Sequence, residues 1–142
     1  SIHQHFQLGA EEQTARLLAA VANPFLTVVG HMTGRLLLKR DGIKCDERAV
    51  IRAYAREGVA IEINGDPHRL ELDWSLVKFA LDEGVRIAVT ADAHTVPGLE
   101  NVNYSIAQGR KGWLTRERCV NCLSAEEFLA FARSRRVARA GA

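Results

Sequence analysis

Val59-Ala60-Ile61-Glu62-Ile63, followed at once by Asn64-Gly65-Asp66-Pro67, is the stretch on which the fold turns. Five residues, four of them apolar and three β-branched at alternate positions, read as a strand, and the Asn-Gly-Asp-Pro run reads as the turn that ends it. A nearly continuous apolar strand needs both faces covered, which points to a parallel sheet between helices. Outward from this strand the same alternation repeats. Residues 46–56 form a helical pattern with Asp46 as N-cap and Gly58 as the stop. Residues 73–83 form another, opened by Asp73 and closed by Gly84. Residues 86–90 and 26–29 are two further strands. A helix over residues 10–22, with Leu17, Leu18, Val21 and Ala22 as its apolar stripe, stops at Asn23-Pro24. A helix around residues 99–110 follows, and Ser124 with Glu127 has capping-box spacing for a final helix over 125–136. Ser1-Ile2-His3 reads as the end of one more strand, cut from a longer chain. The expectation is an α/β fold with about four parallel strands alternating with helices.

A doubly wound sheet and a barrel both fit this alternation, and the placement of the polar residues decides between them. Each strand delivers polar residues at its C-terminal end. The first gives His3, the second His31, the third Glu62 and Asn64 and then His68 and Arg69, the fourth Asp92 and His94. Convergence of strand C-termini from several strands is the active-site plan of (β/α) barrels. Imidazole and carboxylate donors suit zinc and manganese. Thr90-Ala91-Asp92-Ala93-His94 places an oxygen and a nitrogen donor just after a strand.

Composition narrows the class without naming it. Of 142 residues, 47% are hydrophobic and 25% charged, as in an ordinary globular domain, and a net charge of +2 is too mild to argue for nucleic acid. The basic excess is local, with Arg133, Arg135, Arg136 and Arg139 near the end, and reads as a solvated helix end or a phosphate contact. Cys45, Cys119 and Cys122 make an odd number, which points away from a disulfide framework and toward a reducing cytoplasm. Cys119-Val-Asn-Cys122 has no second ligand pair for zinc, so it is expected to hold two partly buried thiols. No run reaches the ~18 apolar residues of a membrane span.

Longer motifs carry a family resemblance. Gly30-His31-Met32-Thr33-Gly34-Arg35-Leu36-Leu37 resembles the GHPTGRLL stretch of the PHP (polymerase and histidinol phosphatase) domain of bacterial family X DNA polymerases. The run from Glu62 to Trp74 resembles that family's EINxxPxRLDLxW, residues 90–94 its TDAH, Ser1-Ile2-His3 its SVHS strand end, and residues 109–114 its ARRGWL. The resemblance implies that residues 1–142 are the C-terminal portion of a distorted (β/α)7 TIM-like barrel, a single partial PHP domain. It implies a multinuclear cluster of Mn²⁺ or Zn²⁺, with Mg²⁺ as a third candidate, and 3′–5′ exonuclease activity on DNA 3′ ends in DNA repair. It also implies a polymerase domain in the same parent chain as partner. Carried over position by position, His3, His31, Asp92 and His94 match metal ligands, with Asp92 and His94 in the catalytic pair, while Glu62, Asn64 and Arg69 match motif positions that border the site. Gln4 and Met32 depart from the family's Ser and Pro. The family's opening HxH, its next Asp and His and a bridging Glu would lie upstream of Ser1, so the segment is expected to hold about half the ligand set.

The remaining residues have two readings each. Arg35 and Arg69 follow strands and either bind phosphate bidentately or pair with a carboxylate such as Asp66 or Asp73. Lys39 and Arg40 in loop 33–44 either touch DNA or face the polymerase domain. Period-two alternation puts Glu62 and Asn64 on one face, and a carboxylate there requires a cationic or hydrogen-bonding partner. His5 and His68 are expected to be exposed or hydrogen-bonded. Two other functions use the same barrel: a small-molecule phosphatase, which the polymerase-type EINGDPHRL stretch disfavours, and a non-catalytic scaffold.

Overall fold

The computed structural model describes residues 1–140, of which 135–140 are described by their backbone alone. The element order is α1 (Ala10–Val21), β1 (Val28–Val29), α2 (Glu47–Glu57), β2 (Ala60–Asn64), α3 (Trp74–Asp82), β3 (Ile87–Thr90), α4 (Val102–Lys111) and α5 (Ala125–Ala140). A 3-10 turn, Pro97–Asn101, leads into α4. The strands form one parallel sheet in the order β1-β2-β3, with Val28 beside Ala60 and Ile61 beside Ile87. The α/β class and the parallel pairing agree with the sequence pattern.

The strand count does not. Three parallel strands are present among the described residues, where about four were expected, and no closed barrel is seen among them. Residues 1–9 carry no strand pairing, although Ile2 is buried in the core. The strand expected at 26–29 shrinks to two residues, because Leu26 N donates to Asn23 O in the turn that ends α1. The helix expected around 99–110 begins later, its first residues being the 3-10 turn.

Local chemistry accounts for the rest. Asp46 caps α2 by accepting from Ala49 N at 3.0 Å, and Gly58 ends it at φ 67°, a left-handed value that suits glycine. Asp73 caps α3 by accepting from Ser75 N at 2.9 Å. Before α5 the capping box is complete: Glu127 N donates to Ser124 Oγ and Ser124 N donates to Glu127 Oε2. The side chains of Arg135, Arg136 and Arg139 lie outside the described residues.

Period-two alternation sorts β2 and β3 by face. Ile61, Ile63, Ile87 and Val89 join the main core with Val50, Ile51, Tyr54 and Val77. Ala60 and Ala88 point the other way and meet Val120. That second face continues to Glu62, Asn64 and Thr90 at the strand ends. The exposed edge of β3 is closed by Asn121, whose side-chain amide mimics a neighbouring strand: Val89 N donates to its Oδ1 at 2.8 Å, and its Nδ2 donates to Val89 O at 2.9 Å. Cys119 is buried beside Ile87 and Cys122 is exposed, while burial pushes the Cys45 thiol up to about 11.

Candidate active site

Glu62 is the hub of the polar end of the sheet. Its Oε2 accepts from His31 N at 2.6 Å and from Asn64 Nδ2 at 3.3 Å, and its Oε1 accepts from Thr90 Oγ1 at 2.7 Å. One carboxylate thereby fastens the ends of all three strands. The partners expected of Glu62 are hydrogen-bond donors rather than a cation. Asn64 is buried, and its Oδ1 accepts from Asp66 N at 3.0 Å, holding the turn that follows β2.

His31 is held by that contact just beyond β1. Its ring is buried and stands edge-on to His3, with centroids 4.7 Å apart and planes at 89°. Its Nδ1 has no hydrogen-bond partner among the described residues. Burial lowers its pKa below the usual histidine range; Arg69 and His3 add to this, while Glu62 and Asp92 oppose it. The imidazole is therefore biased to the neutral form that a metal requires. Ser1 also reaches this corner, for a Cβ on Gly30 would stand 2.7 Å from Ser1 Oγ and 3.3 Å from Glu62 Oε2.

Asp92 follows β3 at φ 49°, and its Oδ2 lies 3.3 Å from Arg69 Nε. Arg69 thus pairs with Asp92 rather than with Asp66 or Asp73. His94 is exposed, and its Nδ1 lies 2.7 Å from Asp92 O. A carbonyl can only accept, so Nδ1 carries the proton and Nε2 keeps its lone pair in the neutral ring. His3, His31, Glu62, Asn64, Arg69 and Asp92 gather at one end of the sheet, with His94 on the exposed loop at its rim.

Arg35 is turned away from this group. Its Nε donates to Arg69 O at 2.8 Å and its Nη2 donates to Leu70 O, which fastens loop 33–43 to loop 65–71. Its charge also acts on Glu47, Glu71 and Asp73. Arg40 is likewise committed: it donates to Gly34 O through Nε at 3.1 Å and Nη2 at 2.7 Å, and its guanidinium lies 3.7 Å from the Phe6 ring centroid. Lys39 is exposed. His68 is exposed and bonded to Asp66, and the His5 carbonyl accepts from Gln13, so both follow the plainer reading.

Sequence reasoning missed Glu71. Its carboxylate is fully buried and accepts from Thr33 N and, at 3.2 Å, from Gly34 N, so it shapes the turn that carries His31. A carboxylate between Leu70 and Leu72 was the available signal, since a charge flanked by buried apolar residues needs waiting donors.

The donors fit a metal only as part of a set. The free Nδ1 of His31 and the neighbouring His3 ring suit an imidazole-bound ion. Among the described residues, however, no three His, Cys, Asp or Glu side chains come together closely enough to hold one. No described helix is long and apolar enough to cross a membrane.

No family model matches the chain. Over 131 residues, 92% of the chain, it is 30% identical to the DNA polymerase/3′-5′ exonuclease PolX of Bacillus subtilis (strain 168). The match spans 23% of that protein's length.

Proposed function

This chain is a relative of the polymerase/exonuclease PolX over the stretch the two share, and we propose that it forms part of a metal-dependent phosphoesterase that removes nucleotides from DNA 3′ ends. In this reading it works in the cytoplasm, in DNA repair, beside a polymerase domain of the same polypeptide. The observation that carries the reading is the buried, uncommitted Nδ1 of His31, set against His3 at the end of a parallel sheet, with the paired Arg69 and Asp92 near enough to act on its charge.

His3, His31, Asp92 and His94 would hold Mn²⁺ or Zn²⁺, with Mg²⁺ the third candidate, together with ligands from elsewhere in the protein. When bound, such an ion lowers the pKa of a water and neutralises charge on the phosphoryl oxygens. The chain's own groups do the positioning. Glu62 fixes the His31 backbone, and Asn64 and Thr90 hold Glu62 in turn. The Asp92 carbonyl orients His94 by its Nδ1. Arg69 is the phosphate contact: an incoming phosphate competes with Asp92 for its planar fork and frees the Asp92 carboxylate. Arg35 assists indirectly, by holding the Arg69 loop through two carbonyls.

The test is release of nucleotides from a 3′-labelled single strand with and without Mn²⁺, in the wild type and in Asp92→Asn and His94→Ala. Loss of a ligand should lower the metal-dependent rate at least about a hundredfold. Undiminished release in both variants refutes the assignment. Phosphate release from a simple monoester without nucleotide release would point instead to a small-molecule phosphatase.

A further inference from the structure

The hairpin over residues 36–40 presents an apolar tip that nothing among the described residues covers. Leu36 and Arg40 form an antiparallel bridge, and Lys39 N and Arg40 N donate to Leu36 O at 3.0 and 2.8 Å. Leu38, at the tip, has φ 61° and a relative exposure of 107%. A leucine at left-handed φ is disfavoured by its own Cβ, and full exposure gains it no burial. Folding of this chain therefore gives no reason for Leu38.

The base of the hairpin, in contrast, is tightly held. Leu37 N donates to His68 O at 2.6 Å, Arg35 grips Arg69 O and Leu70 O, and Arg40 grips Gly34 O beneath Phe6. The tip is thus a rigid projection, joined through the His68–Arg69 segment to the residue that faces Asp92. Beside it runs a cleft of about 490 Å³ whose lining includes Arg35, Lys39 and Arg40 against the single carboxylate Asp41. The excess of cations favours a polyanion over a protein surface.

We propose that Leu38 is a wedge that unstacks the terminal base pair of a DNA end, with Lys39 on a neighbouring phosphate. This rests on the nuclease reading, because a paired 3′ end must be opened before its last nucleotide can reach His31 and Asp92. Apolar side chains inserted at base steps are an established means of unstacking DNA. A single strand needs no such opening, so the wedge distinguishes paired from unpaired ends.

The experiment uses a blunt duplex with 2-aminopurine at its 3′ terminus, in EDTA, so that no cleavage occurs. Binding of the protein should raise the probe's fluorescence as the base unstacks. In Leu38→Asn, which tolerates left-handed φ and removes the apolar tip, the unstacked population at equal occupancy should fall roughly tenfold. Occupancy is matched by anisotropy, and the thermal midpoint of the variant should be unchanged or raised. An equal fluorescence rise in both proteins overturns the wedge, as does a variant that unfolds several degrees earlier, which would mean that the tip packs on protein. DNA bound in EDTA with its terminal base undisturbed, and trimmed from the same blunt end once Mn²⁺ is supplied, overturns the wedge alone. No DNA binding by the wild type overturns the wedge together with the nuclease reading.

Discussion

Glu62 concentrates on one side chain the contacts that keep the site together. It links Gly30-His31, Asn64 and Thr90, one from each strand end, and each donor loses its acceptor if the carboxylate is removed. Hydrogen bonds to a charged group are stronger than neutral ones, so Glu62→Ala should lower unfolding stability by about 2–3 kcal/mol in urea. Glu62→Gln, which keeps an acceptor oxygen, should lose less; equal losses would mean that packing rather than charge is at stake. The two loop cations divide in the same residue-by-residue way. Arg40 is bound to Gly34 O and Phe6, so Arg40→Ala should cost about 1–2 kcal/mol of stability. Exposed Lys39 should carry the electrostatic contact: Lys39→Ala should reduce the slope of log K against log salt for DNA by about one unit and leave stability alone. Anisotropy titrations at several salt concentrations decide it, and a changed slope in Arg40→Ala with none in Lys39→Ala would reverse the assignment.

At the scale of elements, the turn after β2 packs closely against the start of α4. Gly65 lies against α4, and a Cβ there would drive into the Asn101 carbonyl and Ser105 Oγ. Ser105 is itself buried and donates to Thr90 O. Neither backbone can shift without moving Asn64 or Thr90, both partners of Glu62. Gly65→Ala should therefore destabilise by at least about 2 kcal/mol and disturb the site as well. A wild-type denaturation midpoint for this variant would mean that α4 slides without cost. The sheet's end is thus held from two sides, by Glu62 from within and by the N-terminal half of α4 from outside.

For the molecule as a whole, the buried acids set a pH dependence. Glu71 is held above the usual carboxylate range, chiefly by burial, with the Thr33 and Gly34 amides and Arg35 opposing. Glu47 is raised too, by burial first and then by Asp73 and Glu71. A folded value above the unfolded one means that the folded chain binds the proton more tightly. The contribution of such a group is full below the unfolded value and declines as pH rises through the folded one. Glu71→Gln removes this decline, so its stability relative to wild type should improve progressively from about pH 4 upward. Thermal midpoints over that range test it, and a difference that does not vary with pH would mean that Glu71 is ionised in the fold without penalty.

What the sequence determined by itself was everything written in local pattern: the α/β class, the caps at Asp46, Asp73 and Ser124, the stop at Gly58, and the sharing of one face by Glu62 and Asn64. These follow from periods of 3.6 and 2 and from the hydrogen bonds of near neighbours. The residues near the strand ends could be named because a parallel strand always ends on the same side of the sheet. Only the tertiary structure decided which of them meet. Arg69 pairs with Asp92 across 23 positions, Arg35 is held by the carbonyls of residues 69 and 70, and Glu71 lies beneath residues 33 and 34. It also left residues 1–9 outside the sheet while burying Ile2. A side chain's partner depends on which loops cross in space, and no spacing along the chain encodes that.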